Sequence, residues 1–243
     1  MAFLRLMYHH FIYLFPRKQR ITELFFLLSL GILFLYVGSN HFEFSTLDKN
    51  PLFFKSSYLG VCLEFAKIIA VIYSIFIVFV AYQTDKNRYY LVMITSIKQQ
   101  TQFFFTKRVF ILFAQISSVF HLYLIIWIIP SLFLPYAITI SSISSDILIT
   151  LLQVIFMSLL SELLMLFFNH FVSMIPLILV YWYTELYVQD STSSPNDLLR
   201  YLHELMPIYP TDIAENGQWL NYLFLYVIFL FTNLLLWSKK ESY

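Results

Sequence analysis

Glu162 and His170, eight residues apart, come nearest to a metal ligand set or an acid–base couple, with His121 and the His9-His10 pair as further imidazoles. A zinc-dependent intramembrane protease needs two histidines one helical turn apart with a glutamate beside the first, H-E-x-x-H. The chain has no such run and no adjacent glutamate pair. A phosphate-cradling loop, G-x-x-x-x-G-K-[ST], needs two glycines five apart, and Gly31, Gly38, Gly60 and Gly217 provide none. No residue is therefore read as catalytic, as a cofactor ligand or as a metal ligand. If ATP drives this protein, another chain binds it.

Four ionisable side chains inside apolar runs remain as candidates for a pathway or gate. Glu64 and Lys67 stand three apart, close enough on a helix to neutralise each other. They are read either as part of a substrate path or as a structural pair with Lys67 reaching for the surface. Glu162 is a lone acid near one end of its run, placed to meet cargo, to pair with a basic loop residue, or simply to be wetted. His121, near the middle of its run, is read as a neutral imidazole hydrogen-bonded to another helix in preference to a proton relay.

These residues sit in a chain of 243 residues that is 60% hydrophobic and 12% charged, against roughly 25% charged in a soluble domain. That composition belongs to a membrane protein. The net charge of +1 gives no case for nucleic acid, and the single cysteine, Cys62, excludes an internal disulfide and a cysteine-cluster metal site. The start of the sequence lacks the small-residue cleavage site of a signal peptide. Its longest polar stretch, about Gln189 to Gln218, leaves no room for a soluble domain.

The sequence is organised around Thr84 to Arg108, a polar interruption between two long apolar segments that holds Lys86, Arg88, Lys98, Lys107 and Arg108. Within it Tyr90, Met93, Ile94 and Ile97 repeat at i, i+3, i+4, i+7, with Arg88, Thr95 and Gln99 on the opposite face. This spacing predicts a short amphipathic helix, too short to cross a bilayer, held by a membrane span at each end and suited to receive a push from a soluble partner.

The rest of the chain reads as a single all-α transmembrane domain with six spans. Residues 1–20 form an interfacial helix ended by Pro16 and anchored by Arg17, Lys18 and Arg20. The spans are placed at 23–40, 59–83, 103–134, 146–168, 171–187 and 219–237, with a cytoplasmic loop at 84–102. Span three is expected to end near Pro130 and Pro135. A Ser-rich external turn, Ser141 to Ser145, follows it, and Asp146 caps span four. Span five is expected to bend at Pro176. The segment 188–218 is acidic and external, with a short helix from Asn196 to Met206.

Charge fixes the orientation. Arg5, Arg17, Lys18, Arg20, the five basic residues of the central stretch, Lys239 and Lys240 fall on one side, against Lys49, Lys55 and Arg200 on the other. By the positive-inside rule both termini are cytoplasmic, which makes this a multi-pass protein of the cell membrane.

In order and position these features resemble the ABC-2 type permease family, the six-span membrane subunits of ATP-driven exporters. An acidic-basic pair closes span two, a short coupling helix and a basic patch follow, and a lysine opens span three. Asp85-Lys86, Tyr89 to Lys98, and Lys107 stand in those places. The interfacial helix before span one and the external helices between spans five and six are also similar. The family's Gly-Thr pair and proline in the central loop are absent, and Asp85 replaces its usual glutamate.

The resemblance implies a cytoplasmic ABC ATPase as partner, carrying ATP and Mg, and a second permease copy or paralogue, in the simplest case a homodimer. It assigns ATPase coupling to Asp85, Arg88, Tyr90, Met93, Ile94, Ile97 and Lys98. A path lined by Phe, Tyr and Leu suits an amphipathic or hydrophobic cargo, read as an antimicrobial or toxin-like peptide. The other reading is an ATP-independent membrane immunity or accessory protein that binds a peptide. A proton-driven carrier would need carboxylates near mid-membrane, whereas Glu64 and Glu162 fall toward the ends of their runs.

Overall fold

The structure, a computed structural model, describes residues 28–33, 36, 51–85, 97–133, 141–168, 171–181 and 219–240. All of these are helical. The elements are α1 (Pro51–Asp85), α2 (Ile97–Phe133), α3 (Ser141–Phe168), a 3-10 turn (Phe171–Met174) that continues as a helix over 175–181, and α4 (Trp219–Lys240). A backbone surrounded by hydrocarbon has to meet its own N–H and C=O groups, so apolar runs of this length fold as helices.

Three segments are long and apolar enough to cross a bilayer: Cys62–Tyr82 with 21 residues, Thr101–Ile128 with 28 and Ile143–Phe168 with 26. About 20 residues span the hydrocarbon core. Leu223–Trp237 is a shorter apolar helix. The chain is thus a helical membrane protein, and these four segments overlap the stretches expected as spans two, three, four and six, with Thr101–Ile128 and Ile143–Phe168 each starting a few residues earlier than expected. Residues 28–33 and 175–181 are helical within the stretches expected as spans one and five. The interfacial helix 1–20, most of the loop 84–102 and the external segment 188–218 lie outside the described residues.

The helix ends depart from the sequence expectation in ways the local chemistry explains. α1 begins at Pro51, whose fixed φ and missing N–H suit a first helical position. α3 begins at Ser141, so the expected Ser-rich turn is helical and Asp146 stands on the second turn, not at the cap. Serine is well suited to open a helix, because its hydroxyl can meet an otherwise orphaned N–H. α2 passes through Pro130 and ends three residues later at Phe133. Pro176 falls just after the change from 3-10 to α geometry, in a first turn that needs no N–H from it.

Contacts fix how the helices run. Ser74 and Tyr82 on α1 meet Val154 and Glu162 on α3, so eight residues along one helix match eight along the other and the two are parallel. The same two α1 residues meet Gln115 and Lys107 on α2, eight residues backwards, so α2 is antiparallel to α1. Phe156 with Phe229, and Glu162 with Asn233, make α4 parallel to α3. α3 touches α1, α2 and α4 and is the hub of the bundle. The ends of α1, α3 and α4 and the start of α2 therefore gather at one end of the molecule.

Outward faces carry many large apolar side chains. Phe105, Val109, Phe113 and Phe120 of α2 are exposed, as expected where the solvent is hydrocarbon. Gly60, also exposed, has open space where a Cβ would stand. Gly60→Ala should therefore stabilise the protein by up to about 1 kcal/mol through helix propensity, a rise of roughly 2–4 °C in the melting temperature of the detergent-solubilised protein.

Candidate functional site

Polar side chains recur along the bundle interior in three layers. With 1.5 Å of rise per residue and steps of seven or eight residues, the layers stand roughly 11 Å apart. In the layer farthest from the gathered helix ends, the Tyr123 hydroxyl shares a hydrogen bond with Thr150 Oγ1 at 2.6 Å and donates to the Asp146 carbonyl at 3.3 Å. Lys67 of α1 acts electrostatically on Asp146 from across the interface. In the middle layer Ser74 Oγ donates to the Val154 carbonyl at 3.2 Å and accepts from Gln115 Nε2 at 3.2 Å.

The third layer is charged and draws on α1 through α4. Glu162, fully buried on α3, accepts from the Tyr82 hydroxyl of α1 at Oε1. Its Oε2 accepts from Asn233 Nδ2 of α4 at 3.2 Å and lies 3.5 Å from Arg108 Nη1 of α2. Arg108 Nη1 also donates to Ser158 Oγ at 2.5 Å, and Asn233 Nδ2 to the Leu159 carbonyl at 3.2 Å. Lys107, fully buried, places its ammonium 3.6 Å from the Tyr82 ring centre and 5.1 Å from that of Trp237. The Trp237 ring in turn packs on Phe103, Phe104 and Tyr82. Ring faces carry negative potential, so this box suits a cation removed from water.

The layer holds two cations and a carboxylate about 10 Å inside the apolar limits of α2 and α3. Isolated charges are costly there, and they persist where they pair and hydrogen-bond. Small residues line the approach: Ser158 and Ser161 are fully buried on α3, and Ser158 accepts from Arg108. Arg108 Nε and Nη2, Asn233 Oδ1 and Trp237 Nε1 have no hydrogen-bond partner among the described residues.

No protein family model, no curated protein and no solved structure matches this chain. Among the described residues there is also no group of three or more side chains able to hold a metal ion.

The sequence candidates scatter relative to this layer. Glu162 lies at its centre and pairs with Arg108 of the central basic stretch, one of the alternatives the sequence offered, and both residues stand within helices. α2 begins at Ile97, so Ile97 and Lys98 occupy its first turn and Lys107 and Arg108 its buried interior. Lys67 is half-buried and acts electrostatically on Asp146, and Glu64 is exposed. His121 is exposed, and its Nδ1 meets the Ser117 carbonyl of its own helix at 2.6 Å, where a bond to another helix was expected. Asp85 ends α1. Arg88, Tyr90, Met93 and Ile94 lie outside the described residues.

Sequence reasoning missed Tyr82, Arg108 as a core residue, Ser158, Asn233 and Trp237. The signal was there as spacing. Thr150, Gln153, Ser158 and Ser161 fall on one helical face, as do Arg108 with Gln115 and Lys67 with Ser74.

Proposed function

We propose that this chain is the membrane-spanning permease subunit of an ABC exporter, with six spans and both termini in the cytoplasm, driven by a separate ATPase. The observation that carries the reading is the convergence of helix ends beside the segment 86–96. α1 ends at Asp85 and α2 starts at Ile97, which leaves eleven residues to join two adjacent antiparallel helices at one end of the bundle. Lys98 and Lys239-Lys240 stand on helix turns at that same end, which supports its assignment to the cytoplasmic side.

A short amphipathic helix in this segment would press directly on the ends of two spans. Nucleotide closure of the ATPase then biases the membrane domain between two states, which is coupling in the thermodynamic sense. The cargo is amphipathic or hydrophobic, and an antimicrobial or toxin-like peptide fits the aromatic character of the chain. Two copies, or this chain and a paralogue, complete the pathway.

Purification of the tagged chain in a mild detergent from its native cells tests this. The expected result is a stoichiometric companion that binds and hydrolyses ATP. Recovery of the chain alone at every salt and detergent condition, together with peptide binding by the chain alone, would favour the immunity or accessory reading instead.

A further inference from the structure

We propose that the Tyr82–Arg108–Glu162–Asn233 layer is the inner closure of the bundle: a polar lock that ties α1, α2 and α4 to α3 at the end bearing segment 86–96 and must open for that end to admit water. This rests on the transport reading for its purpose, though the lock itself is a property of the chain alone.

The argument starts from what a buried ion pair does not do. Well-packed apolar residues would hold these helices together at least as firmly, because the desolvation of two charges offsets their attraction. What a shared carboxylate does supply is dependence on arrangement. Glu162 is satisfied only while Tyr82, Arg108 and Asn233 are all presented to it, one from each neighbouring helix. A small displacement of α1 or α2 strips the carboxylate of a partner, and in a dry interior an unpartnered charge is strongly disfavoured. The layer is therefore either closed with all helices in place or open with water in it, and intermediate positions are poor.

Placement supports the same conclusion. Tyr82 stands three residues from the last residue of α1, and Lys107 and Arg108 lie on the helix that begins at the other end of segment 86–96. A push on that segment reaches both α1 and α2 where they meet Glu162. Arg108 also holds capacity in reserve: its Nη1 makes both contacts, while Nε and Nη2 are without partners among the described residues and are free to meet water in an opened state.

The test reads accessibility in the purified full-length chain in proteoliposomes, without ATPase or cargo. Cys62→Ala removes the native thiol, and Ser161→Cys places a probe at a fully buried position beside Glu162. A charged, water-soluble maleimide should label the parent slowly. Tyr82→Phe with Asn233→Leu cuts the ties to α1 and α4 and leaves the buried ion pair short of partners, and labelling should rise at least tenfold. Arg108→Leu with Glu162→Leu replaces the charges by apolar packing, so labelling should stay within twofold of the parent with the melting temperature unchanged or raised. Should the first pair fail to insert, Tyr82→Phe alone should raise labelling at least threefold. Labelling within twofold of the parent in the partner-cutting variant that folds would overturn the lock. A rise in labelling in a chain that recruits no ATPase would leave the lock standing and remove the transport reading.

Discussion

Glu162→Gln is expected to lose about 3–5 kcal/mol of stability, because it leaves the Arg108 guanidinium buried, within 3.5 Å of an amide in place of a carboxylate. The substitution keeps the side chain's shape and an oxygen able to accept from Tyr82, and it removes both the charge and the acceptor that Oε2 offers to Asn233 and Arg108. In the detergent-solubilised protein it should appear as a fall of roughly 10 °C or more in melting temperature. Replacing both partners by leucine should restore most or all of it. Equal destabilisation by the single and double variants would mean that Glu162 serves through its packing and not its charge.

The second large effect concerns Arg88 and Lys98. Reversing both charges, Arg88→Glu with Lys98→Glu, should reduce ATP-driven export at least tenfold while insertion, expression and melting temperature stay near those of the parent. The separation follows from where these residues lie. Lys98 occupies the first turn of α2, ten residues before the buried Arg108, so the lock is left intact. On the coupling reading both charges face the cytoplasm, where a surface pair contributes only about 0–1 kcal/mol to stability. Unchanged export by the double variant, measured against a companion-free control, would refute the assignment of this stretch to coupling.

The two predictions divide the central basic stretch in a way the sequence did not announce. Thr84 to Arg108 reads as one polar block by composition, and five basic residues within it look like a single cytoplasmic patch. The helix instead starts at Ile97 and carries Lys107 and Arg108 into the bundle. Hydropathy averages over a window and cannot register that a carboxylate, a phenol and an aromatic box wait on other helices. Pairing across sequence separations of 50 to 80 residues decides the outcome.

Long apolar runs were legible, since length and composition alone demand a helix in hydrocarbon. Their ends were less so: the serines at 141–145 read as a turn, and the structure makes them the start of α3. Glu162 stood out as an acid in an apolar run. Asn233 and Ser158 did not, because a single amide or hydroxyl in a membrane helix is common and gains meaning only from what faces it.

The central claim, that segment 84–102 faces the cell interior and takes force from a nucleotide-driven companion, is tested most directly by sided labelling at Met93. With Cys62→Ala as background, Met93→Cys should react with a membrane-impermeant maleimide in inside-out vesicles and not in right-side-out ones. In native vesicles a non-hydrolysable ATP analogue should change that rate severalfold. Reaction only from the outside, or a rate from the inside indifferent to nucleotide, would contradict it.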